Sequence, residues 1–299
     1  MTLRPQDVAL LACPTCRSAL HWEGRDREGL LDEGLLRCTG CRARWPVSKG
    51  MPRLYREEEV RGNDRLLRVL YDGLPWLYEP VTAWVAPRIE GLSESEFRAR
   101  YLRRLELDSL TPRPDGGPVR ILEIGIGTGS NLPLLQRALP RGLHVELWGV
   151  DLSAGMLSRC RERLVRGHHG NVRLLQADAH ALPFPEHCFD RVLETGGIGG
   201  YRAPRRALAE RARVARPGTP IVTVDEQLDT REPLPLRLRA AFRALTFYNQ
   251  KPRSPRALLP PEATDILDEQ LSRFYFCLTF RMPEPARSSS RGTVEDQVD

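Results

Sequence analysis

The sequence predicts an α/β protein with a seven-stranded, mostly parallel sheet, and two observations carry this prediction. Between residues 119 and 225, short apolar runs rich in β-branched residues alternate with helical patterns, which is typical of βαβ units. The glycine-rich turn Gly125-Ile-Gly127-Thr-Gly129 follows the first run, at the strand end where such sheets bind ligands. Two C-x-x-C pairs within the first fifty residues predict a further small module at the N-terminus.

Each strand of the sheet is expected at an apolar run bounded by turn residues. The expected strands are 119–124, 143–150, 171–176, 189–194, 219–225, 265–271 and 274–282. The expected helices between them are 131–139, 153–165 and 203–215. A short turn joins the last two strands, so the last strand is expected to run antiparallel to the others.

The first four cysteines have the spacing of a zinc ribbon. Cys13 and Cys16 form one C-x-x-C knuckle, and Cys38 and Cys41 form a second after 21 intervening residues. Each knuckle places two thiolates on one turn, and the hairpin between them can bring four sulfurs to about 2.3 Å from a metal. Four cysteines close the coordination shell of zinc, so the site would be structural. The alternative is a set of four buried or reactive cysteines.

Composition and charge favour a protein of the cytoplasm without a membrane span. The chain lacks the run of about 20 apolar residues that a spanning helix needs, and its start does not resemble a secretion signal. The formal charge of +6 raises nucleic acid or anionic membranes as partners. Lysine occurs only at Lys49 and Lys251, however, and such a bias is also what genome composition produces, so the sequence leaves both interpretations of the arginine excess open. The arginine-rich segments 98–104 and 202–216 read as charged faces of amphipathic helices.

The chain is predicted to consist of four segments. Residues 1–58 form the zinc-ribbon module, and 59–115 form a helical cap and a turn-rich linker. Residues 116–282 form the α/β domain, and the polar tail 283–299 is expected to be disordered. The cap carries the aromatic residues Trp76, Tyr78 and Trp84, which favour an apolar ligand.

The glycine turn differs from the dinucleotide fingerprint G-x-G-x-x-G, because here the spacing is G-x-G-x-G. Glu123 lies two residues before Gly125. A carboxylate at this place would oppose a pyrophosphate but suit a ligand that bears ammonium and sulfonium charges. The glycines still allow close approach of the backbone, whose N–H groups can meet a ligand carboxylate. The turn therefore favours an amino-acid-bearing cofactor.

This segment resembles the first motif of class I S-adenosylmethionine-dependent methyltransferases, which have a Rossmann-like fold. Four motifs follow in the order of that family, ending with the fifth strand of the sheet in RVARPGTPIVTVDE. The resemblance implies that Asp151 holds the ribose hydroxyls and that Asp178 meets the adenine amino group. It implies S-adenosylmethionine binding by Glu123, Gly125, Gly127, Gly129, Asp151, Leu152, Met156, Asp178, Ala179 and Glu194.

The N-terminal segment resembles the Trm112-like family of small zinc-ribbon modules. The cysteines and the stretch from Trp45 to Leu54 carry this resemblance, which covers residues 10 to 55. It implies a module that packs against methyltransferases, as a separate subunit or fused to them. A protein partner of the ribbon is therefore a further hypothesis.

Methyl transfer needs a nucleophile aligned with the donor in a dry pocket, and it needs a base only when the nucleophile carries an acidic proton. The catalytic residues therefore stay unknown. The candidates at the strand ends are His180, His187, Glu194, Tyr201, Asp225 and Glu226. Glycines at positions 196, 197, 199 and 200 leave room beside the cofactor.

The sequence leaves three hypotheses open for the function of the protein, which differ mainly in the methyl acceptor. The apolar cap favours an enzyme acting on a quinone, a lipid or a secondary-metabolite-like molecule. The arginine content is the main argument for an RNA methyltransferase. A non-catalytic cofactor-binding partner protein, docking through the ribbon, is the third hypothesis. The identity of the acceptor, the use of a base and the oligomeric state do not follow from the sequence.

Overall fold

A computed structural model describes residues 3–76, 80, 92–167, 171–231, 233–249 and 251–284. Two of the cap aromatics, Tyr78 and Trp84, lie outside the described residues. The same holds for the expected disordered tail beyond residue 284. Among the described residues, no helix has the length and apolar content that a membrane crossing requires.

The α/β domain contains the seven expected strands, in the order β7-β6-β5-β8-β9-β11-β10. Neighbouring strands from β7 to β9 pair in parallel, and β11 pairs antiparallel with both β9 and β10. The predicted mostly parallel sheet with an antiparallel last strand is therefore confirmed. The strands are β5 (Val119–Ile124), β6 (Val145–Asp151), β7 (Val172–Ala177), β8 (Arg191–Thr195), β9 (Ile221–Glu226), β10 (Thr264–Gln270) and β11 (Tyr275–Arg281).

Six α-helices lie in the described part of the chain. Three of them follow strands of the sheet as predicted, and two come from the cap. The sixth, with the sequence LRLRAAFRAL, was not predicted. The helices are α1 (Gly62–Gly73), α2 (Glu94–Leu102), α3 (Leu132–Ala138), α4 (Ala154–Arg166), α5 (Pro204–Val214) and α6 (Leu236–Leu245).

The N-terminal segment forms four antiparallel strands that join the same sheet. They are β1 (Leu20–Arg27), β2 (Leu30–Cys38), β3 (Arg44–Ser48) and β4 (Met51–Leu54). Arg53 and Leu54 of β4 pair in parallel with Gln176 and Ala177 of β7. The expected seven-stranded sheet is thus an eleven-stranded one, because β4 covers an edge of β7 that would otherwise expose unpaired backbone groups.

The N-terminal strands also share a hydrophobic core with the α/β domain. Leu36, Trp45 and Leu54 belong to the same buried cluster as Trp148 and Phe184. A module of this size has little core of its own, so contact with the larger domain adds to its stability. The N-terminal segment is therefore an integral part of the structure and not a tethered unit.

Candidate functional site

The glycine turn takes a backbone conformation that residues with a side chain rarely adopt. Gly125, Gly127 and Gly129 have φ angles of 66°, 55° and 76°. A Cβ at Gly129 would lie 2.8 Å from the Sγ of Cys160 and 2.9 Å from Cδ1 of Leu132. Gly129 is thus required for packing beneath the turn, whereas Gly125 and Gly127 leave open space above it.

Asp151 lies at the end of β6 and holds the glycine turn. Its Oδ2 accepts a hydrogen bond from the backbone N–H of Gly127 at 2.8 Å, and its Oδ1 accepts one from Ser153 N–H at 2.8 Å. Burial raises the pKa of Asp151 to about 6, although both of these hydrogen bonds act in the opposite direction. The carboxylate lines the cavity, where it can also accept a hydrogen bond from a ligand hydroxyl group.

Glu123 lies under the turn, and it is not among the residues that line the cavity above. Its Oε1 accepts a hydrogen bond from Asn131 Nδ2 at 2.7 Å, and Oε2 is buried without a partner. Burial raises the pKa of Glu123 to about 7. The expected direct contact of Glu123 with the cofactor therefore stays a prediction, and in this structure its partner is Asn131.

Asp178 follows β7 and is fixed by two basic side chains. Its Oδ1 accepts from His180 Nδ1 at 2.6 Å, and its Oδ2 accepts from Arg202 Nη2 at 2.7 Å. The backbone N–H of Ala203 points to His180 Nε2 at 3.3 Å, and Arg202 Nη1 lies 2.9 Å from His180 Nδ1. Burial opposes ionisation of Asp178, but the hydrogen bonds from His180 and Arg202 lower its pKa to about 2.

A cavity of ≈ 830 Å³, open solvent at its mouth included, lies above the glycine turn and the ends of β6 and β7. The residues of the predicted cofactor site that line it are Gly125, Gly127, Asp151, Leu152, Met156, Asp178 and Ala179. Three others, Glu123, Gly129 and Glu194, are not among the lining residues. Most of the predicted cofactor-binding set is thus brought to one surface.

Helix α1 of the cap forms the opposite wall of the cavity, and its residues were not among the predicted site residues. Asp64, Leu67, Arg68 and Tyr71 line the cavity. The helix is held in place by Asp72, whose Oδ1 accepts from Ser153 Oγ at 2.7 Å and from Gly155 N–H at 3.0 Å. The amphipathic pattern predicted a helix here, but nothing local in the sequence indicated which neighbour its polar face meets.

Glu194, a predicted cofactor and catalytic residue, is buried in an ion pair. Its Oε2 lies 3.3 Å from Arg211 Nη2, and both side chains are 0% exposed. Arg211 also donates to Thr223 Oγ1 at 2.8 Å. Burial raises the pKa of Glu194 to about 7, and Arg211 opposes the rise. The position indicates a supporting role beneath the site.

The remaining candidate bases differ in their access to the cavity. Tyr201 and His180 line it, and His180 is already held between Asp178 and Ala203. Asp225 is 1% exposed and accepts from Gly199 N–H at 2.6 Å and from Glu226 N–H at 2.8 Å. Neither Asp225 nor Glu226 is among the lining residues, nor is His187, whose Nδ1 lies 3.1 Å from Ala215 O. Tyr201 is therefore the best-placed candidate of the set.

The four N-terminal cysteines converge in the structure. All four sulfurs lie within 4.8 Å of one another, with Cys13 to Cys41 at 3.7 Å and Cys16 to Cys38 at 3.3 Å. A tetrahedron with metal–sulfur bonds of about 2.3 Å has edges of about 3.8 Å, so this spacing fits a zinc ion. The backbone N–H groups of Gly40 and Cys41 point at Cys38 Sγ at 3.4 Å, as suits a thiolate.

The two arginine-rich segments do not form an open basic surface. Their arginines are largely committed to carboxylates, some of them buried. The ion-paired arginines are Arg98, Arg104, Arg202, Arg206, Arg211, Arg213 and Arg216. The structure thus gives the arginine-based argument for an RNA partner little support.

Comparison with known proteins agrees with this geometry. The methyltransferase-domain family Methyltransf_25 matches residues 121–218. The demethylmenaquinone methyltransferase of Thermus thermophilus is 33% identical over 158 residues, 49% of this chain and 70% of that protein. The phosphatidylethanolamine N-methyltransferase of Cereibacter sphaeroides is 36% identical over 116 residues, 38% of this chain and 54% of that protein. The chain therefore spans little more than half the length of this second relative.

Solved structures show the same fold at low sequence identity. Phosphoethanolamine N-methyltransferase 2 of Haemonchus contortus, in complex with S-adenosyl-L-methionine, superposes with a TM-score of 0.56 at 16% identity. The match covers 80% of this chain and 62% of that one. The (4+2)-cyclase SpnF superposes with a TM-score of 0.50 at 18% identity, covering 76% and 98% of the two chains. A cyclase among these neighbours shows that the fold alone does not determine the reaction.

Proposed function

Because the chain belongs to the family of S-adenosylmethionine-dependent methyltransferases, we propose that it methylates a small-molecule acceptor. A quinone, a lipid or a secondary-metabolite-like molecule is the acceptor class we favour. The observation that carries this proposal is the cavity bounded by the glycine turn, Asp151 and Asp178 and covered by α1. The names of the relatives add support, since one refers to a quinone precursor and another to a phospholipid.

In this proposal different residues around the cavity bind different parts of the cofactor. Asp151 accepts hydrogen bonds from the ribose hydroxyl groups. Asp178 is ionised at neutral pH and accepts a hydrogen bond from the adenine amino group. Leu152, Met156 and Ala179 provide apolar contacts to the adenine ring. The turn at Gly125 and Gly127 leaves room for the amino-acid end of the cofactor.

Bound S-adenosylmethionine supplies an electrophilic methyl group, and the protein's contribution is to align the acceptor with it. Glycines 196 and 197 and Tyr201 line the side of the cavity next to β8, where the acceptor would enter. A dry wall there excludes water, and orientation alone can supply several kcal/mol of rate enhancement, about 10 in ideal cases. Tyr201 would hold the acceptor by its hydroxyl group, because burial raises its pKa well above the ordinary value and keeps it protonated.

The N-terminal strands are proposed to be a Trm112-like zinc ribbon with one structural Zn²⁺ bound by Cys13, Cys16, Cys38 and Cys41. The sulfur spacing supports this assignment. The N-terminal segment contacts the chain next to the cofactor site in two places: β4 pairs with Gln176 and Ala177 of β7, and Ala12 N–H donates to Pro183 O at 3.0 Å. Since Pro183 continues the segment that begins at Asp178, metal binding would also stabilise the adenine side of the cavity.

Transfer of a labelled methyl group into a fractionated lysate tests the proposed acceptor class. The purified protein is incubated with methyl-labelled S-adenosylmethionine and a lysate, which is then separated into lipid, RNA and protein. Label in the lipid or small-molecule fraction is the expected result. Label in RNA would support the RNA alternative. Saturable cofactor binding without transfer to any fraction would support the non-catalytic partner protein.

A further inference from the structure

A second cleft lies beside the cofactor cavity and shares the side chain of Tyr201 with it. It has a volume of ≈ 1370 Å³, open solvent included. Its walls come from the segment around Ile198 and Gly199, from Asn249, Lys251 and residues 253–258, and from Ile266 on β10. Tyr201 therefore lies at the border between the cleft and the cofactor cavity.

This cleft is positively charged and lacks a matching acid. Lys251, Arg253 and Arg256 line it, and all three side chains are exposed. Within the described residues, none of the three forms an ion pair with a carboxylate, and no acidic residue is among those lining the cleft. This differs from the arginine-rich segments 98–104 and 202–216, where most cations are paired with carboxylates. Three cations on one wall of a cleft attract an anion.

The lysine in this cleft is unusual for this chain. The whole sequence has only two lysines, Lys49 and Lys251, in a background where almost every cation is arginine. Lys251 departs from this background. Lysine offers a compact charge with three rotatable hydrogen-bond donors, so it can bind a phosphate group in more than one orientation.

Ser254 adds a buried polar group without a partner. Its Oγ is buried and makes no hydrogen bond with any described residue, while its backbone N–H donates to Gln227 Oε1 at 2.7 Å. A buried hydroxyl group without a partner is uncommon in native proteins, because its desolvation is left uncompensated. Ser254 is therefore a residue of the cleft wall whose hydroxyl group has no partner among the described residues.

The rest of the wall is apolar. Ile198, Leu258 and Ile266 line the cleft together with Pro204, Pro255 and Ala257. The charged and apolar parts together suit a molecule with an anionic group and a hydrocarbon portion. A neutral quinone would leave the three cations without a counter-charge.

We propose that this cleft binds the phosphate group of an amphiphilic methyl acceptor, whose reacting group reaches the cofactor cavity past Tyr201. A phosphate fits better than a carboxylate, because it offers more acceptor oxygens to the lysine and the two arginines. The inference rests on the proposed function and narrows it from quinones and lipids to phosphate-bearing amphiphiles.

The test compares two soluble lipids that differ only in their headgroup. Dihexanoyl phosphatidylethanolamine and dihexanoylglycerol are titrated into the protein saturated with S-adenosylmethionine, below their micelle concentrations. The phosphate-bearing lipid should bind at least about tenfold more tightly. The double variant Lys251→Gln/Arg253→Gln should lose at least about tenfold of that affinity. Its affinity for S-adenosylmethionine, measured separately, should not change.

The control variant is Arg137→Gln, which removes an exposed arginine of α3 that does not line the cleft. It should bind both lipids as the native protein does. Equal binding of the two lipids, or unchanged binding in the double variant, would overturn the proposal.

Two competition arms identify the source of the phosphate. Inorganic phosphate should compete only weakly, since it lacks the hydrocarbon portion. If inorganic phosphate competed as strongly as the lipid does, the cleft would be a site for free anions. That result would contradict the proposal that it binds a phosphate-bearing amphiphile. Displacement of the lipid by a single-stranded RNA, with a steep salt dependence, would contradict it as well. A failure of the proposed function differs from all of these, because the native protein would then not bind S-adenosylmethionine at all.

Discussion

The carboxylate of Asp151 accepts a hydrogen bond from the backbone N–H of Gly127 at 2.8 Å, so the end of β6 holds the glycine turn that follows β5. Its other oxygen accepts from Ser153 N–H, at the start of α4. One side chain thus fixes the two loops that bound the cofactor cavity. Its loss would both loosen the glycine turn and remove the ribose contact.

The variant Asp151→Ala should therefore bind S-adenosylmethionine about ten- to a hundredfold more weakly. Hydrogen bonds to a charged group are worth about 1.5–3 kcal/mol, which corresponds to this range. Isothermal titration calorimetry measures the change. The control Asp108→Ala removes an exposed carboxylate that does not line the cavity and should bind normally. Unchanged affinity in Asp151→Ala would show that the ribose assignment is wrong.

Glu123 should make the stability of the cofactor-free protein depend on pH. Burial raises its pKa from 4.5 to about 7. A carboxyl group with a raised pKa contributes stability that is fully present below its unfolded-state pKa and is lost as the pH rises through about 7. At pH 8 the folded protein must therefore hold this carboxylate ionised in a buried position.

The variant Glu123→Gln removes this charge and keeps an oxygen that can accept from Asn131. Its free energy of unfolding should exceed that of the native protein by about 2–3 kcal/mol at pH 8 and by little at pH 5. Urea unfolding at both pH values measures the difference. Glu162→Gln, at an exposed carboxylate, serves as the control. An equal difference at pH 5 and pH 8 would contradict the proposed titration of Glu123.

The ion pair between Glu194 and Arg211 should be sensitive to loss of one partner. Arg211→Met leaves the Glu194 carboxylate buried without its cation, which should destabilise the fold by about 3–5 kcal/mol. Adding Glu194→Gln to this variant should restore a large part of the loss. Denaturant unfolding of the native, single-variant and double-variant proteins provides the measurement. If the double variant is as unstable as the single one, the cause is packing and not the uncompensated charge.

Loss of the proposed zinc site should affect the cofactor site as well as folding. Metal analysis should find close to one zinc per chain in the native protein and little in Cys13→Ser. The variant should also bind S-adenosylmethionine more weakly, because Ala12, next to Cys13, donates to Pro183 in the adenine segment. Cys277→Ser, at a buried cysteine outside the cluster, is the control. A metal-free native protein that is fully folded would exclude the ribbon assignment.

Much of the α/β domain follows from local patterns in the sequence. Strands are recognisable there because their apolar runs are short, β-branched and bounded by turn residues, and the expected and observed bounds differ by two residues or fewer. The resemblance to the methyltransferase motifs predicted Asp151 and Asp178 as cofactor contacts, and these roles stay predictions; each of the two residues comes at the end of a strand in a parallel sheet. Both then lie at the same edge, as the structure shows.

Other features depend on contacts between distant parts of the chain. The pairing of β4 with β7 involves only two residues of each strand, and no periodic pattern marks it. Arg202 reaches Asp178 and Asp64 from 24 and 138 residues away. The buried ion pair of Glu194 and Arg211 could not be predicted either, because the sequence around a charged residue in a strand or helix does not indicate which residue it will pair with. Such pairings follow only from the packed structure.

Calorimetric titration of the purified protein with S-adenosylmethionine tests the central claim most directly. The claim is that the glycine turn, Asp151 and Asp178 form a site for this cofactor and not for a dinucleotide. We expect saturable binding with close to one molecule per chain, and no comparable binding of NAD. Absence of S-adenosylmethionine binding together with tight binding of NAD would contradict it.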